Sequence, residues 1–117
     1  MKAVRLILSP DAEQVYRDLN KKAPTSKLER SILNAIGKKA ELIKANPHYG
    51  DAISKDKIPQ DYKQKYGIAN LFRVELPQFW RMLYSLTNGE SEIEIIAFVL
   101  EISGHGKYDK MFGYRRK

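Results

Sequence analysis

The sequence predicts an α+β fold in one domain spanning residues 1–117. An N-terminal strand leads into a two-helix hairpin, then an antiparallel β-sheet (order β-α-α-β-β-β), with a short C-terminal helix or tail. Three observations predict it. Apolar residues alternate over residues 2–8, recur at helical spacing in two consecutive runs before Asn46-Pro47, and form strand-like runs from residue 68 onward. With 117 residues, 43% hydrophobic and 30% charged, the chain has the length and composition of a folded domain with one core.

Taken in order, Val4, Leu6 and Leu8 share one face of the first strand. Ser9-Pro10 is a helix start, a capping hydroxyl followed by proline at the first helical position. Ala12, Val15, Tyr16 and Leu19 then follow at helical spacing, so a first helix runs from Pro10 to about Lys22. Ser26 and Glu29 make a capping-box pattern before a second run in which Leu28, Ile32, Leu33, Ile36, Ala40 and Ile43 line one stripe. Asn46-Pro47 ends it, because proline disfavours helical geometry in the residue before it. From Pro47 to Tyr66 periodicity disappears, and the segment reads as a long lysine-rich loop with a short strand or turn hidden inside it. Residues 68–76 and 79–86 read as strands, and 93–102, apolar on both faces, as a buried central strand. Pro77-Gln78 and Asn88-Gly89 supply the turns between them.

Strand alternation assigns faces. Phe72, Val74 and Leu76 belong with Trp80, Met82, Tyr84 and Leu86 against the helices, which leaves Arg73 and Arg81 together on the uncovered face. That requires an odd number of residues in the turn. With the turn centred on Pro77, the arginines stand directly across from each other, a repulsion that an anionic ligand relieves. The competing reading pairs each arginine with a carboxylate such as Glu75 or Glu101.

Composition narrows the function classes. A formal net charge of +7 on so short a chain favours polyanionic partners, or else serves solubility alone. There is no cysteine, which excludes disulfides and thiolate zinc sites and fits a cytoplasmic protein. The N-terminal apolar run is too short for a signal peptide and no stretch is long enough to span a bilayer, so no membrane partner is expected. His48 and His105 make a poor zinc set, Asp51, Asp56 and Asp61 match no carboxylate metal spacing, and no phosphate loop or nucleophile elbow is present; neither a metal nor a small-molecule cofactor is expected. The last fourteen residues pack His105, Tyr108, Tyr114 and five bases, Lys107, Lys110, Arg115, Arg116 and Lys117, against one acid. Aromatics interleaved with bases suit single-stranded RNA. The alternative is a frayed basic tail, or an apolar anchor in which Tyr108, Met111 and Phe112 fasten a short helix to the core.

This order of elements, with Leu-Phe-Arg-Val at 71–74, Trp-Arg-Met-Leu-Tyr at 80–84 and His-x-Lys-Tyr at 105–108, resembles the RelE/ParE superfamily of type II toxin–antitoxin systems. The resemblance spans the chain in element order and is specific over residues 66–117. It implies a toxin that cleaves mRNA on the ribosome without metal and is neutralised by a cognate antitoxin. The alternative it carries is a ParE-like inhibitor of DNA gyrase, or a catalytically inactive interaction or RNA-binding relative. Arg81 falls on the family's central-hairpin arginine, Arg73 near the preceding one, and Tyr108 close to the tyrosine after the last strand. Gly106 departs from the basic residue that follows in many nucleolytic members, and the hairpin is slightly longer than theirs.

Metal-free RNA cleavage uses the substrate 2′-OH as nucleophile, so the protein must move two protons and stabilise an anionic phosphorane. Arg73 and Arg81 suit the phosphorane, since a guanidinium grips two phosphate oxygens at once. His105 suits acid–base work, as does Lys55, Lys57 or Lys107 if neighbouring cations lower its pKa. Tyr108 suits stacking on a base. Lys55, Lys57, Lys63, Lys65, Lys110, Tyr114, Arg115 and Arg116 complete the expected RNA-binding surface.

Overall fold

A computed structural model, which describes residues 3–88 and 94–103, builds the α+β order strand, two helices, then an antiparallel sheet. The elements are β1 (Ala3–Leu8), α1 (Pro10–Lys22), α2 (Lys27–Ala45), β2 (Asp51–Ala52), α3 (Gln60–Tyr66), β3 (Phe72–Glu75), β4 (Arg81–Asn88) and β5 (Glu94–Ser103). The expected C-terminal helix or tail lies outside the described residues. Among those described, no helix is long and apolar enough to cross a membrane.

The sheet has the order β1-β5-β4-β3-β2. β1 runs parallel to β5, and every other pair is antiparallel. β5, the strand expected at the centre, is hydrogen-bonded on both sides. Between β4 and β5 the register shifts from Leu83↔Glu101 to Tyr84↔Val99, a β-bulge that skips Leu100.

α1 starts as the sequence dictates. The Ser9 hydroxyl, fully buried, accepts from the Ala12 amide at 3.1 Å, and Pro10 fills the first turn. At α2 a side-chain pair stands in place of the expected capping box. The Ser26 hydroxyl donates to the Glu29 carboxylate, and no side-chain bond reaches the backbone. Ile32, Ile36 and Ile43 of α2 close over the even-numbered face of the sheet with Ala12 and Leu19 of α1, Phe72 and Val74 of β3, and Met82 and Tyr84 of β4. Leu28 and Tyr16, placed by spacing on the buried stripes, instead stay 44% and 38% exposed at the margins of the hairpin.

The segment 47–66 is more ordered than periodicity suggests. It holds β2, a 3-10 turn at Lys55–Lys57, and α3. Pro59 precedes α3, and Gly67, in the left-handed region at φ 63°, ends it with its amide bonded to the Lys63 carbonyl at 3.0 Å. Ile58 and Tyr62 pack on Leu71 and Leu83, with Ile53, Tyr66 and Ile68 around them. A second, smaller core therefore lies on the odd-numbered side of the sheet, the side expected to be uncovered.

A candidate nucleic-acid interface

Arg73 and Arg81 do share a face. Pairing sets Arg73 opposite Leu83 and Glu75 opposite Arg81, so all four side chains leave the sheet on the side away from α1 and α2. The expected face-to-face arrangement of the arginines is corrected: they are diagonal neighbours, about 7–8 Å apart by sheet geometry. The cause is the turn. It is centred on Gln78 rather than Pro77, with the Leu76 amide bonded to the Trp80 carbonyl at 2.9 Å and the Trp80 amide to the Pro77 carbonyl at 3.2 Å. Moving the centre by one residue moves the register by two, which keeps every residue on its predicted face.

The register also supplies carboxylates. Asp51 of β2 is Arg73's cross-strand partner, and its carboxylate lies 3.3 Å from the guanidinium. The Arg81 guanidinium lies 3.6 Å from Glu75 and donates to the Trp80 carbonyl at 3.2 Å. The paired reading of the arginines is thus realised, with Asp51 and Glu75 as partners. Both acids are largely in solvent, 73% and 67% exposed, whereas the side chains of Arg73 and Arg81 are 32% and 15% exposed. Ion pairs with one partner so open are largely screened on that side and contribute about 0–1 kcal/mol.

The expectation of a bare face is corrected in the same place. α3 and the 3-10 turn cover the sheet at Leu71 and Leu83, because Ile58 and Tyr62 are apolar and need that floor. The lysines ride on the covering segment. Lys55 and Lys57 lie in the 3-10 turn, Lys63 and Lys65 on α3, all four exposed, with the Lys65 ammonium 5.4 Å from the centre of the Tyr66 ring. The structure therefore brings Arg73, Arg81, Lys55, Lys57, Lys63 and Lys65 to one side of the sheet. His105, Lys107, Tyr108, Lys110, Tyr114, Arg115 and Arg116 lie outside the described residues. Among those described, no group of three or more His, Asp or Glu is gathered as for a metal ion.

Residues that carry no charge hold this face in place. The Tyr84 hydroxyl, fully buried, donates to the Pro47 carbonyl at 2.7 Å and accepts from the Gly50 amide at 3.0 Å. Burial pushes the Tyr84 phenol above its ordinary value of 10.0. These two bonds seat the turn before β2 and thereby deliver Asp51 to Arg73. The Tyr84 ring stacks on Phe72 at 5.2 Å, and His48 meets Phe72 edge-on at 5.6 Å, a packing role in accord with its place in the loop. Asn70 continues β3 with its side chain, accepting from the Leu86 amide at 2.7 Å and the Ser85 hydroxyl at 3.0 Å while donating to the Leu86 carbonyl at 3.0 Å. Alternation along β4 places Tyr84 in the core, whereas these linkages depend on contacts 34 and 37 residues away in the chain. The sole sequence signal was a tyrosine where a phenylalanine would have filled the space.

Compared with known proteins, the chain matches no family model, no curated protein and no solved structure.

Proposed function

We propose that this protein is a toxin of the RelE/ParE kind that binds mRNA on the ribosome, cleaves it without a metal ion, and is held in check by an antitoxin protein. The observation that carries the proposal is the pair of guanidinium groups on one sheet face, with four exposed lysines on the segment that packs against the same face. Such a surface suits a ribose-phosphate chain. Lysines attract it over distance, and the arginines bind phosphate oxygens bidentately.

β5 adds support. Its last residue, Ser103, pairs with Arg81 and precedes His105 by two residues in the sequence. In the proposed reaction the 2′-oxygen attacks phosphorus as a base takes its proton, and the bond to the 5′-oxygen breaks. That oxygen leaves with a proton from an acid, and a 2′,3′-cyclic phosphate remains. Arg73 and Arg81 stabilise the phosphorane, while His105, Lys107 or a loop lysine moves the protons. A ribosomal substrate makes the cytoplasm the site of action.

The test adds purified protein to a translation extract and maps mRNA ends. Wild type yields discrete cuts, and Arg81→Ala abolishes them. Intact mRNA at high wild-type concentration sinks the nuclease. Inhibition of gyrase supercoiling under the same conditions establishes the ParE-like alternative.

A further inference from the structure

The turn between β3 and β4 holds a conformation that its residues do not favour. Gln78 (φ 58°, ψ 37°) and Phe79 (φ 64°) are consecutive residues in the left-handed region. Turns with positive φ at both central positions ordinarily take Asn-Gly or Asp-Gly, because a larger side chain meets the backbone there. Strain of this kind concentrates where a side chain must be presented to a ligand.

Burial does not account for the phenylalanine. At 67% its residue is the most exposed of the large apolar residues described. It borders a cavity of about 390 Å³ lined by Glu75, Leu76, Gln78, Phe79 and Arg81. The ring therefore shares an open recess with the Arg81 guanidinium, which the Trp80 carbonyl and Glu75 already orient. Three of the four other lining residues are polar or charged, and Leu76 is buried. That setting is unlike a protein-docking hot spot, where an aromatic anchor sits at the centre of a desolvated apolar patch. It suits a flat, polar-edged ring carried on a phosphate.

We propose that Phe79, Gln78 and Arg81 form a nucleobase subsite for single-stranded RNA. An unpaired base stacks on the Phe79 ring, the Gln78 amide, both donor and acceptor, meets the base edge, and Arg81 neutralises the phosphate of the same nucleotide. The inference rests on the RNA-binding reading above and assigns the part that contacts a base rather than the backbone.

The test measures binding of the full chain to a labelled single-stranded oligoribonucleotide and to an abasic ribose-phosphate oligomer of the same length. Phe79→Asn removes the ring and tolerates positive φ, with thermal denaturation to verify folding. Phe79→Trp keeps a stacking face. Expected are a loss of about tenfold for Phe79→Asn on the base-bearing oligomer, no loss on the abasic one, and wild-type or tighter binding for Phe79→Trp. If wild type binds, Arg81→Ala weakens binding, and Phe79→Asn binds like wild type or loses equally on both oligomers, the subsite is refuted and RNA binding stands. If wild type binds neither oligomer, the RNA-binding reading itself falls and takes the subsite with it.

Discussion

Tyr84→Phe removes one oxygen atom and leaves the shape of the core unchanged, so its effect isolates the two bonds that seat the loop before β2. The hydroxyl donates to the Pro47 carbonyl at 2.7 Å and accepts from the Gly50 amide at 3.0 Å, and the tyrosine is fully buried. Each backbone group left without its partner costs about 1–3 kcal/mol, so the pair together costs about 2–4 kcal/mol once partial access to water is allowed for. For a domain of this size that lowers Tm by about 8–16 °C. The linkage has a definite sign. Burial raises the folded-state phenol pKa above 10.0, so the stabilisation is fully present below that value and is lost as pH rises through the folded pKa. Denaturation in urea between pH 7 and pH 12 reads both effects. Wild type loses stability above pH 10 more steeply than Tyr84→Phe, and the two converge. A variant within about 0.5 kcal/mol of wild type at pH 7, or one with the same alkaline slope, refutes the claim that this hydroxyl organises the face.

Gly50→Ala is expected to destabilise more than its added volume suggests. A Cβ there would stand 2.9 Å from the Arg73 carbonyl oxygen, 3.0 Å from the Tyr84 ring and 3.2 Å from Phe72, none of them the end of a flexible chain. A loss of about 1–3 kcal/mol is expected in equilibrium unfolding, and a silent variant would count against the close approach of β2 and β3. Asp51→Asn frees the Arg73 guanidinium from a carboxylate that is mostly solvated, so stability changes by less than about 1 kcal/mol while RNA affinity rises a few-fold. A variant that binds RNA more weakly would reverse the assignment of Asp51 as a competitor for the phosphate. If Arg73, Arg81 and one loop lysine each meet a phosphate, log affinity falls against log salt with a slope of about −2. That is about twentyfold between 50 and 200 mM, and a slope near zero rules out a phosphate-dominated interface.

Side-chain alternation determines the faces of the sheet more firmly than its pairing. Parity alone put Phe72, Val74, Met82 and Tyr84 under the helices and Arg73 and Arg81 opposite, because alternation by two is indifferent to a register shift of two. The register itself depended on where the turn is centred, and nothing in Pro-Gln-Phe announces two residues at positive φ, since neither is glycine or asparagine. α3 escaped notice for a different reason. Its seven residues carry only Tyr62 and Tyr66 as apolar contacts, one i,i+4 pair, too little for a periodicity to register, although Pro59 before it and Gly67 after it bracket a helix. Asp51 was legible as an acid but not as a partner of Arg73. A pair separated by 22 residues is joined only by the β2–β3 register, which a two-residue strand does not advertise.

The helix that the sequence concealed changes what the arginines can do. Leu83, directly across from Arg73, is fully buried because Ile58 and Tyr62 close over it. The guanidinium groups thus emerge at the border of an apolar floor rather than from an open sheet. There a charged hydrogen bond is less screened than on a flat wet surface, which under the proposed function would strengthen a phosphate contact. The same border would make an unpaired cation unfavourable, and Asp51 and Glu75 meet that need from the solvent side. Their exposure is what keeps the arrangement reversible. A buried carboxylate would hold each arginine against any competitor, whereas an exposed one keeps the guanidinium oriented and yields to a ligand that brings more than one oxygen. The ion pairs and the phosphate-binding proposal are therefore compatible: the exposed carboxylates neutralise the guanidinium groups until a phosphate competes for them.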